Sequence, residues 1–490
     1  MFSTNDLVEK LTLVDDLHRL GIYYHFKDEI REAITSINDH VDDDIGDIRL
    51  VALRFRLLRQ EGYVVSPGVF SKFKDSEGKF KHELSYDVEG LLQLYEASML
   101  GTNDEPILKE ATDFARGHLE RMKGEEPQHT AQIGRAFETP FHRGMRRLEA
   151  RLYIPVYAKS KACIPILLEL AKLDFNHLQS IHQAEIQSFY VWSEEFSLMK
   201  HLPFYRDRVA ESYFWTLGVW FEPRYSTERL LISKLFNLMT VIDDIYDAYG
   251  TIEELQLFTN QIERWDFQNV DGLPKFMQIF LNVFTGFMTE IEEELRKKGT
   301  LHHRHYIIEL FKPFVRANFQ DAVWTNIEYK PKFEEYLNVS LVTAGYPLLI
   351  SASLCIMAKD LSKDTLDWLL SVPKIVKASS MLLRLVDDLF SSEFEQQRKH
   401  LDSSLQIYMR DEGITEQEAV AKLKSMVDKA WKDINKEWLS SLPSRKHLNL
   451  LALNYTRMAE VIYKHEDSYT NPNGHMKENI TLLLVHPMED

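Results

Sequence analysis

The sequence predicts an all-α protein, and three observations support this prediction. Apolar residues recur at helical spacing along most of the 490 residues, as in LVEKLTLVDDLHRL near the start and AVAKLKSMVDKAWKDINKEWL near the end. Gly and Pro are sparse, with 19 and 16 residues, which favours long uninterrupted elements. No segment shows the apolar–polar alternation of a convincing strand. We expect two helical domains, residues 1–155 and 156–490, with a boundary in the proline-flanked stretch 153–165.

Composition limits the class of partner. The formal net charge of −17 disfavours nucleic acid or an anionic membrane as the main partner. The two cysteines, Cys163 and Cys355, give neither a disulfide framework nor zinc-ligand spacing, which is consistent with a reducing compartment. Neither a secretory signal nor a transit peptide is visible at the N-terminus. We therefore expect a cytoplasmic protein, and we expect it to be a monomer.

The first acidic cluster interrupts an apolar run, LMTVIDDIYDAYG, at residues 238–250. Asp243 and Asp247 are four residues apart, so they share one face of a helix. Buried carboxylates without a partner are costly. A compensating cation is therefore expected beside this helix.

An uncharged segment follows, from Asn338 to Ala358, and it is long enough to span a bilayer. It contains several polar residues and the potential breaks Gly345 and Pro347, and it has no partner span elsewhere. We predict a buried helix kinked near Gly345 and Pro347, and no membrane span.

The second acidic cluster lies in LLRLVDDLFSSEFEQQRKH, residues 382–400. Asp387, Ser391 and Glu395 recur every four residues and form one oxygen-bearing stripe on a helix. If the helices of the two clusters face one another, they present hard oxygen ligands to a shared cavity. Such ligands suit Mg²⁺, which completes its shell with water and with substrate phosphate oxygens.

Arginines accompany both acidic clusters. Arg206 and Arg208 lie in FYRDRVAESYFW, and Arg384 precedes Asp387 by three residues. Guanidinium forks match phosphate oxygens, so these side chains suit an anionic ligand. Each motif alone also fits a solvated surface face. Their combination in an all-helical chain favours a site for a metal ion together with a strongly anionic ligand.

At these residues the chain resembles the plant class I terpene synthases, and among them most closely the sesquiterpene synthases. The DDxxD motif of that family appears as Asp243-Asp244-Ile245-Tyr246-Asp247, and its (N/D)DxxSxxxE motif runs from Asp387 to Glu395. The likeness extends nearly end to end, from LRFRLLRQEGY to YKHEDSYTNP. It implies a class I terpenoid synthase helical bundle with an enclosed active site in residues 156–490, beside a non-catalytic N-terminal domain.

The resemblance also implies roles for individual residues. The implied metal ligands are Asp243 and Asp247 for two Mg²⁺ ions and Asp387, Ser391 and Glu395 for a third, with Mn²⁺ as a substitute. The implied ligands of the departing diphosphate are Arg206, Arg208 and Arg384, with Asp243 also on the substrate side. The implied cavity wall is Trp215, with Tyr246 and Trp324 as weaker candidates. The implied closing loop contains Asp467 and Tyr469, preceded by Tyr463, and any of the three could assist proton transfer.

The substrate implied by the resemblance and by a cytoplasmic location is farnesyl diphosphate, with geranyl diphosphate as the alternative. A chain-elongating prenyltransferase would be expected to carry a second DDxxD motif, which is not seen here. A non-catalytic helical interaction protein derived from a synthase stays open as an alternative of another class. Two departures from the family pattern are a short segment before LVEKLTLVDDLHRLG, from which we expect leakier closure of the site, and Lys399 in place of glycine.

Overall fold

The computed structural model describes residues 6–39, 45–124, 127–195, 202, 205–395 and 402–489, without the side chains of 127, 128, 195 and 391–395. Its α-helices are α1 (Leu7–Arg19), α2 (Lys27–Asn38), α3 (Ile48–Gln60), α4 (Val88–Ser98), α5 (Pro106–Met122), α6 (Pro127–Glu138), α7 (Arg146–Tyr157), α8 (Pro165–Glu195), α9 (Val209–Val219), α10 (Ser226–Asp244), α11 (Ile252–Arg264), α12 (Lys275–Lys298), α13 (His303–Asn326), α14 (Phe333–Thr343), α15 (Tyr346–Met357), α16 (Lys363–Leu370), α17 (Lys374–Glu395), α18 (Ser404–Glu412), α19 (Glu416–Leu439), α20 (Lys446–Ile462) and α21 (His475–Leu484). The predicted all-α fold class is confirmed, since the described residues contain no strand beyond an isolated bridge between Lys74 and Phe80.

Local sequence signals set where these helices begin and end. Asp47 caps α3 by accepting a hydrogen bond from the Arg49 amide at 2.7 Å. Thr251 opens α11 with a reciprocal capping box that includes Glu254. Gly299 ends α12 at φ +77°, a left-handed conformation that costs glycine little.

The chain forms two compact units. The first comprises Met1–Asn176, Lys432–Leu442 and Met488–Asp490, and the second comprises His177–Trp431 and Pro443–Pro487. The predicted domain boundary at residues 155 and 156 stays a prediction, since compactness does not test where an independently folding domain ends.

Buried arginines organise the core of each unit. In the first unit Arg59 is 1% exposed, pairs with Glu105 and donates to the carbonyl of Val65. In the second unit both oxygens of Glu185 accept from Arg229, at 2.7 and 2.6 Å. These fully paired charges tie together neighbouring helices, and removing one partner would leave a buried charge uncompensated.

The uncharged segment of the second unit forms α14 and α15, which are separated at Ala344 and Gly345. Gly345 has φ +81°, a backbone conformation that favours glycine, and a Cβ atom there would also have to displace the Met239 Cε methyl, which lies 2.6 Å away. The stretch Phe333–Met357 is long and apolar enough to cross a membrane, but 72% of its most apolar part is buried inside the protein. The prediction of a buried apolar element is confirmed, and its interruption is a break between two helices rather than a kink.

Candidate active site

A cavity of about 290 Å³ lies inside the second unit. Its lining comes from α9, α10, α13, α14, α17 and the loop after α20. Along α10 the lining changes from Phe236 and Met239 to Asp243 and Asp244. Along α13 it changes in the same way, from Phe314 to Asp321. The cavity therefore joins an aromatic region to an acidic region.

The acidic region gathers carboxylates from three helices, α10, α13 and α17. Burial raises the pKa of Asp243 to about 6, although the positive charge of Arg206 opposes this shift. The pKa of Asp247 is raised well above its usual range, first by burial and then by the negative charges of Asp243 and Asp321. The two predicted metal-ligating aspartates of the first motif both line the cavity, where a cation would favour their charged forms.

A π-helical turn, Ile245–Tyr249, continues α10 through the first motif. It widens the helix just after Asp244 and contains Asp247. Single π turns often occur at functional sites, because they change where side chains point. Tyr246, in the same turn, does not line the cavity, since its hydroxyl pairs with Thr259 at 2.6 Å and its ring packs on Phe258.

Two arginines lie at the acidic region, each bound by the second aspartate of one motif. Arg206 Nη2 lies 2.7 Å from Asp244 Oδ1 and 3.6 Å from Asp243 Oδ2. Arg384 Nη2 lies 2.7 Å from Asp388 Oδ1 and also pairs with Asp387. Both guanidinium groups line the cavity, as expected for ligands of an anion.

The second motif lies on the last turns of α17. Asp387 lines the cavity. Asp388 instead points into the protein, is 1% exposed, and accepts from the Tyr336 hydroxyl at 2.8 Å and the Ser404 amide at 2.9 Å. The side chains of Ser391 and Glu395 lie outside the described part of the structure, as does Lys399. The structure therefore tests the placement of only the first residue of this predicted ligand set.

Trp215 forms the centre of the aromatic wall. Its ring centroid lies 4.9 Å from that of Phe236, 5.7 Å from Tyr469 and 6.2 Å from Tyr463. These four residues line the cavity. Trp324 does not line the cavity, and its ring packs against that of Tyr329 instead. Electron-rich ring faces suit a positively charged ligand.

The loop that follows α20 brings Asp467 and Tyr469 to the cavity. Asp467 Oδ1 accepts from the amides of Tyr469 at 3.2 Å and Thr470 at 2.9 Å, so this carboxylate shapes the loop. The Tyr469 hydroxyl pairs with Thr240 Oγ1 at 2.8 Å. Arg208 does not line the cavity, because its guanidinium donates to the Thr470 carbonyl at 2.8 Å.

Asp321 was missed by sequence reasoning. It stands alone in FQDAVW, without a second acid at helical spacing, so no local pattern marks it. Burial, followed by the charges of Asp243 and Asp388, raises its pKa to about 7. Only the packing of α13 against the first motif brings this carboxylate to the acidic region. The available signal in the sequence was that Asp321 is a single acidic residue within the apolar stripe of a predicted helix.

The acidic region suits a hard divalent cation by its chemistry. Its described ligand atoms are carboxylate oxygens, and the pKa of Asp247 is raised by burial and by neighbouring carboxylates, which Arg206 only partly offsets. Among the described side chains, no three metal-binding groups already surround one point. This open arrangement fits Mg²⁺, which is often held by one or two carboxylates together with water and phosphate oxygens.

Two family descriptions match the chain. Residues 1–137 match "Terpene synthase, N-terminal domain". Residues 194–433 match "Terpene synthase family, metal binding domain". The second match contains both acidic motifs and the arginines at the cavity.

Individual proteins are similar over the whole chain. Beta-cubebene synthase of Magnolia grandiflora is 43% identical, covering 100% of this chain and 90% of its own. (-)-Germacrene D synthase of Vitis vinifera is 41% identical, covering 100% of this chain and 88% of its own. The crystal structure of isoprene synthase from grey poplar leaves, with three Mg²⁺ ions and dimethylallyl-S-thiolodiphosphate, matches with a TM-score of 0.93 and 33% identity, covering 99% of this chain and 94% of the other.

Proposed function

The chain belongs to the terpene synthase family, and from this premise we propose that it ionises farnesyl diphosphate and converts the resulting carbocation into a sesquiterpene. Members of this family are lyases that act on prenyl diphosphates, and their metal-binding domain implies dependence on a divalent metal. The observation that carries the proposal is a cavity in which carboxylates and arginines meet an aromatic wall. An anionic leaving group and a carbocation need these two environments side by side.

We propose Mg²⁺ as the metal, with Mn²⁺ as a substitute, and three ions per site. Asp243 and Asp247 would hold two ions, and Asp387, Ser391 and Glu395 the third. Support comes from the carboxylates of the cavity and from the three Mg²⁺ ions in the isoprene synthase complex. When bound, the metal neutralises the diphosphate and makes it a better leaving group.

The protein's own side chains would divide the remaining work. Arg206 and Arg384 donate to diphosphate oxygens as negative charge develops on the leaving group. Trp215 and its neighbouring rings stabilise the cation through their faces. Arg208 acts mainly on the closing loop, since it binds the Thr470 carbonyl at 2.8 Å. That loop would exclude water from most of the cavity.

Farnesyl diphosphate is favoured over geranyl diphosphate by the named relatives, which are synthases of sesquiterpenes. We also propose that the protein acts as a monomer in the cytoplasm. Its two cysteines are unpaired, which suits a reducing compartment. Its net charge of −17 argues against nucleic acid as a partner.

The test is incubation of the purified protein and Mg²⁺ with geranyl, farnesyl or geranylgeranyl diphosphate, followed by mass spectrometry of the volatile products. Metal-dependent fifteen-carbon products from farnesyl diphosphate support the proposal. Preferred turnover of geranyl diphosphate would identify a monoterpene synthase. No product from any substrate would favour the non-catalytic interaction protein.

A further inference from the structure

Asn318 introduces an amide between the two regions of the cavity. It lies on α13, four residues after Phe314 and three residues before Asp321, and all three side chains line the cavity. This spacing gives one helix face that runs from an aromatic ring through an amide to a carboxylate. Asn318 is 2% exposed, so its side chain is shielded from bulk solvent.

The orientation of this amide follows from its one hydrogen bond. Asn318 Nδ2 donates to the Phe314 carbonyl at 2.8 Å. A carbonyl only accepts, so the nitrogen of the amide must face it and the oxygen must face the other way. Within the described residues, no group donates to Asn318 Oδ1.

An acceptor that faces a cavity and has no donor within the protein is usually satisfied by ordered water. The cavity, at about 290 Å³, is large enough to hold water molecules. Hydroxyls that also line it, on Thr240 and Thr343, can supply further partners. Water is therefore the donor that best satisfies Asn318 Oδ1.

We propose that Asn318 Oδ1 holds an ordered water molecule against the hydrocarbon chain of the substrate, and that the carbocation captures this water, so that the main product is a sesquiterpene alcohol. This inference rests on the proposed function and adds the product class and a positioning residue. The water oxygen forms a C–O bond to the cationic carbon. One water O–H bond then breaks, and its proton passes to the diphosphate released in the ionisation step. No oxidant or reductant is needed.

Asn318→Leu tests the inference, since leucine has nearly the same shape but cannot hold water. The wild type and the variant are incubated with farnesyl diphosphate and Mg²⁺ in water enriched in oxygen-18, and both diphosphate release and products are measured. The matched control is Asn326→Leu, an exposed position at the end of the same helix. The wild type and the control should form an alcohol carrying oxygen-18. In Asn318→Leu the alcohol-to-hydrocarbon ratio, measured per diphosphate released, should fall at least about fivefold, the effect of about one hydrogen bond.

Two results would overturn the inference alone: diphosphate release by the wild type without an alcohol, or an unchanged product ratio in Asn318→Leu. Absence of diphosphate release by the wild type would overturn the proposed function as well, so the two failures are distinguishable. If the variant does not fold, a crystal structure of the wild type with Mg²⁺ and inorganic diphosphate will show whether an ordered water binds Asn318. A water within hydrogen-bonding distance of Asn318 Oδ1 supports the inference, and its absence from the ordered cavity contradicts it.

Discussion

Arg206 and Asp244 form a two-point ion pair at the mouth of the acidic region, with Nη2 2.7 Å from Oδ1 and Nε 3.2 Å from Oδ2. Arg384 and Asp388 repeat the relationship in the second motif, with Nη2 2.7 Å from Oδ1. In each motif the second aspartate orients an arginine, while the first aspartate lines the cavity and also contacts that arginine, as Asp243 does with Arg206 at 3.6 Å and Asp387 does with Arg384. The doubled aspartate therefore gives each cavity arginine two carboxylate partners.

Replacement of Arg206 by lysine should reduce kcat/KM for farnesyl diphosphate. Lysine keeps the charge but cannot hold Asp244 and a phosphate oxygen with one rigid fork. Loss of one charge-assisted hydrogen bond in the transition state corresponds to about a 10- to 100-fold decrease. The control is Arg224→Lys, a more exposed arginine that pairs with Glu222. Equal activity of Arg206→Lys and wild type would show that the fork is not used.

Replacement of Asp247 by asparagine should have opposite effects on the free and the metal-bound protein. Without metal, the variant should melt at a higher temperature, because one of several mutually repelling carboxylates is removed. With Mg²⁺ and inorganic diphosphate at about 100 times their dissociation constant, the wild type should gain about 2.7 kcal/mol of stability, and the variant much less. Thermal unfolding of the wild type and the variant, without metal and with Mg²⁺ and diphosphate, measures both effects.

Asp271→Asn is the matched control, since Asp271 is an exposed acid that does not line the cavity. It should behave like the wild type in both conditions. An Asp247→Asn variant that keeps the full stabilisation by Mg²⁺ and diphosphate would rule out Asp247 as a metal ligand.

Two substitutions at Asp467 separate loop shaping from proton transfer. An asparagine side chain would still offer an oxygen to the amides of Tyr469 and Thr470, so Asp467→Asn should stay within about threefold of the wild-type kcat/KM. Asp467→Ala loses both bonds and should fall by about tenfold. If the asparagine variant were as impaired as the alanine variant, the carboxylate would have a chemical role.

Asp16 in the first unit should make stability depend on pH. Burial, reinforced by the charge of Asp15, raises the pKa of Asp16 to about 7. The folded protein therefore keeps a proton that the unfolded chain releases above its usual pKa, and stability is lost as pH rises through about 7. Between pH 5 and pH 8 this loss amounts to at most about 3 kcal/mol.

Asp16→Asn removes this titration while keeping an acceptor for the Tyr153 hydroxyl, which lies 3.3 Å from Asp16 Oδ1. Denaturant unfolding at both pH values should show the variant gaining stability over the wild type as pH rises. Asp28→Asn, at a carboxylate 85% exposed, should show no such gain. Parallel curves for Asp16→Asn and wild type would contradict the prediction.

Local sequence patterns were sufficient to predict the helices and the placement of the first acidic motif. Asp243 and Asp247 share a helix face, and the spacing that shows this is written in the sequence. Asp321 and Asn318 reach the cavity from another helix, so their contribution depends on packing that no local pattern encodes. The family resemblance makes Tyr246 a weaker candidate for the cavity wall, but in the structure the π turn directs it to Thr259 instead.

We propose that the two acidic motifs hold divalent metal around a diphosphate. A crystal structure of the protein with Mn²⁺ and inorganic diphosphate would test this arrangement directly. Anomalous scattering identifies each Mn²⁺ position independently of the protein coordinates. We expect metal at Asp243 and Asp247 on one side of the cavity and at Asp387 on the other, with the diphosphate contacting Arg206 and Arg384. Metal bound elsewhere, or a diphosphate held without metal, would contradict it.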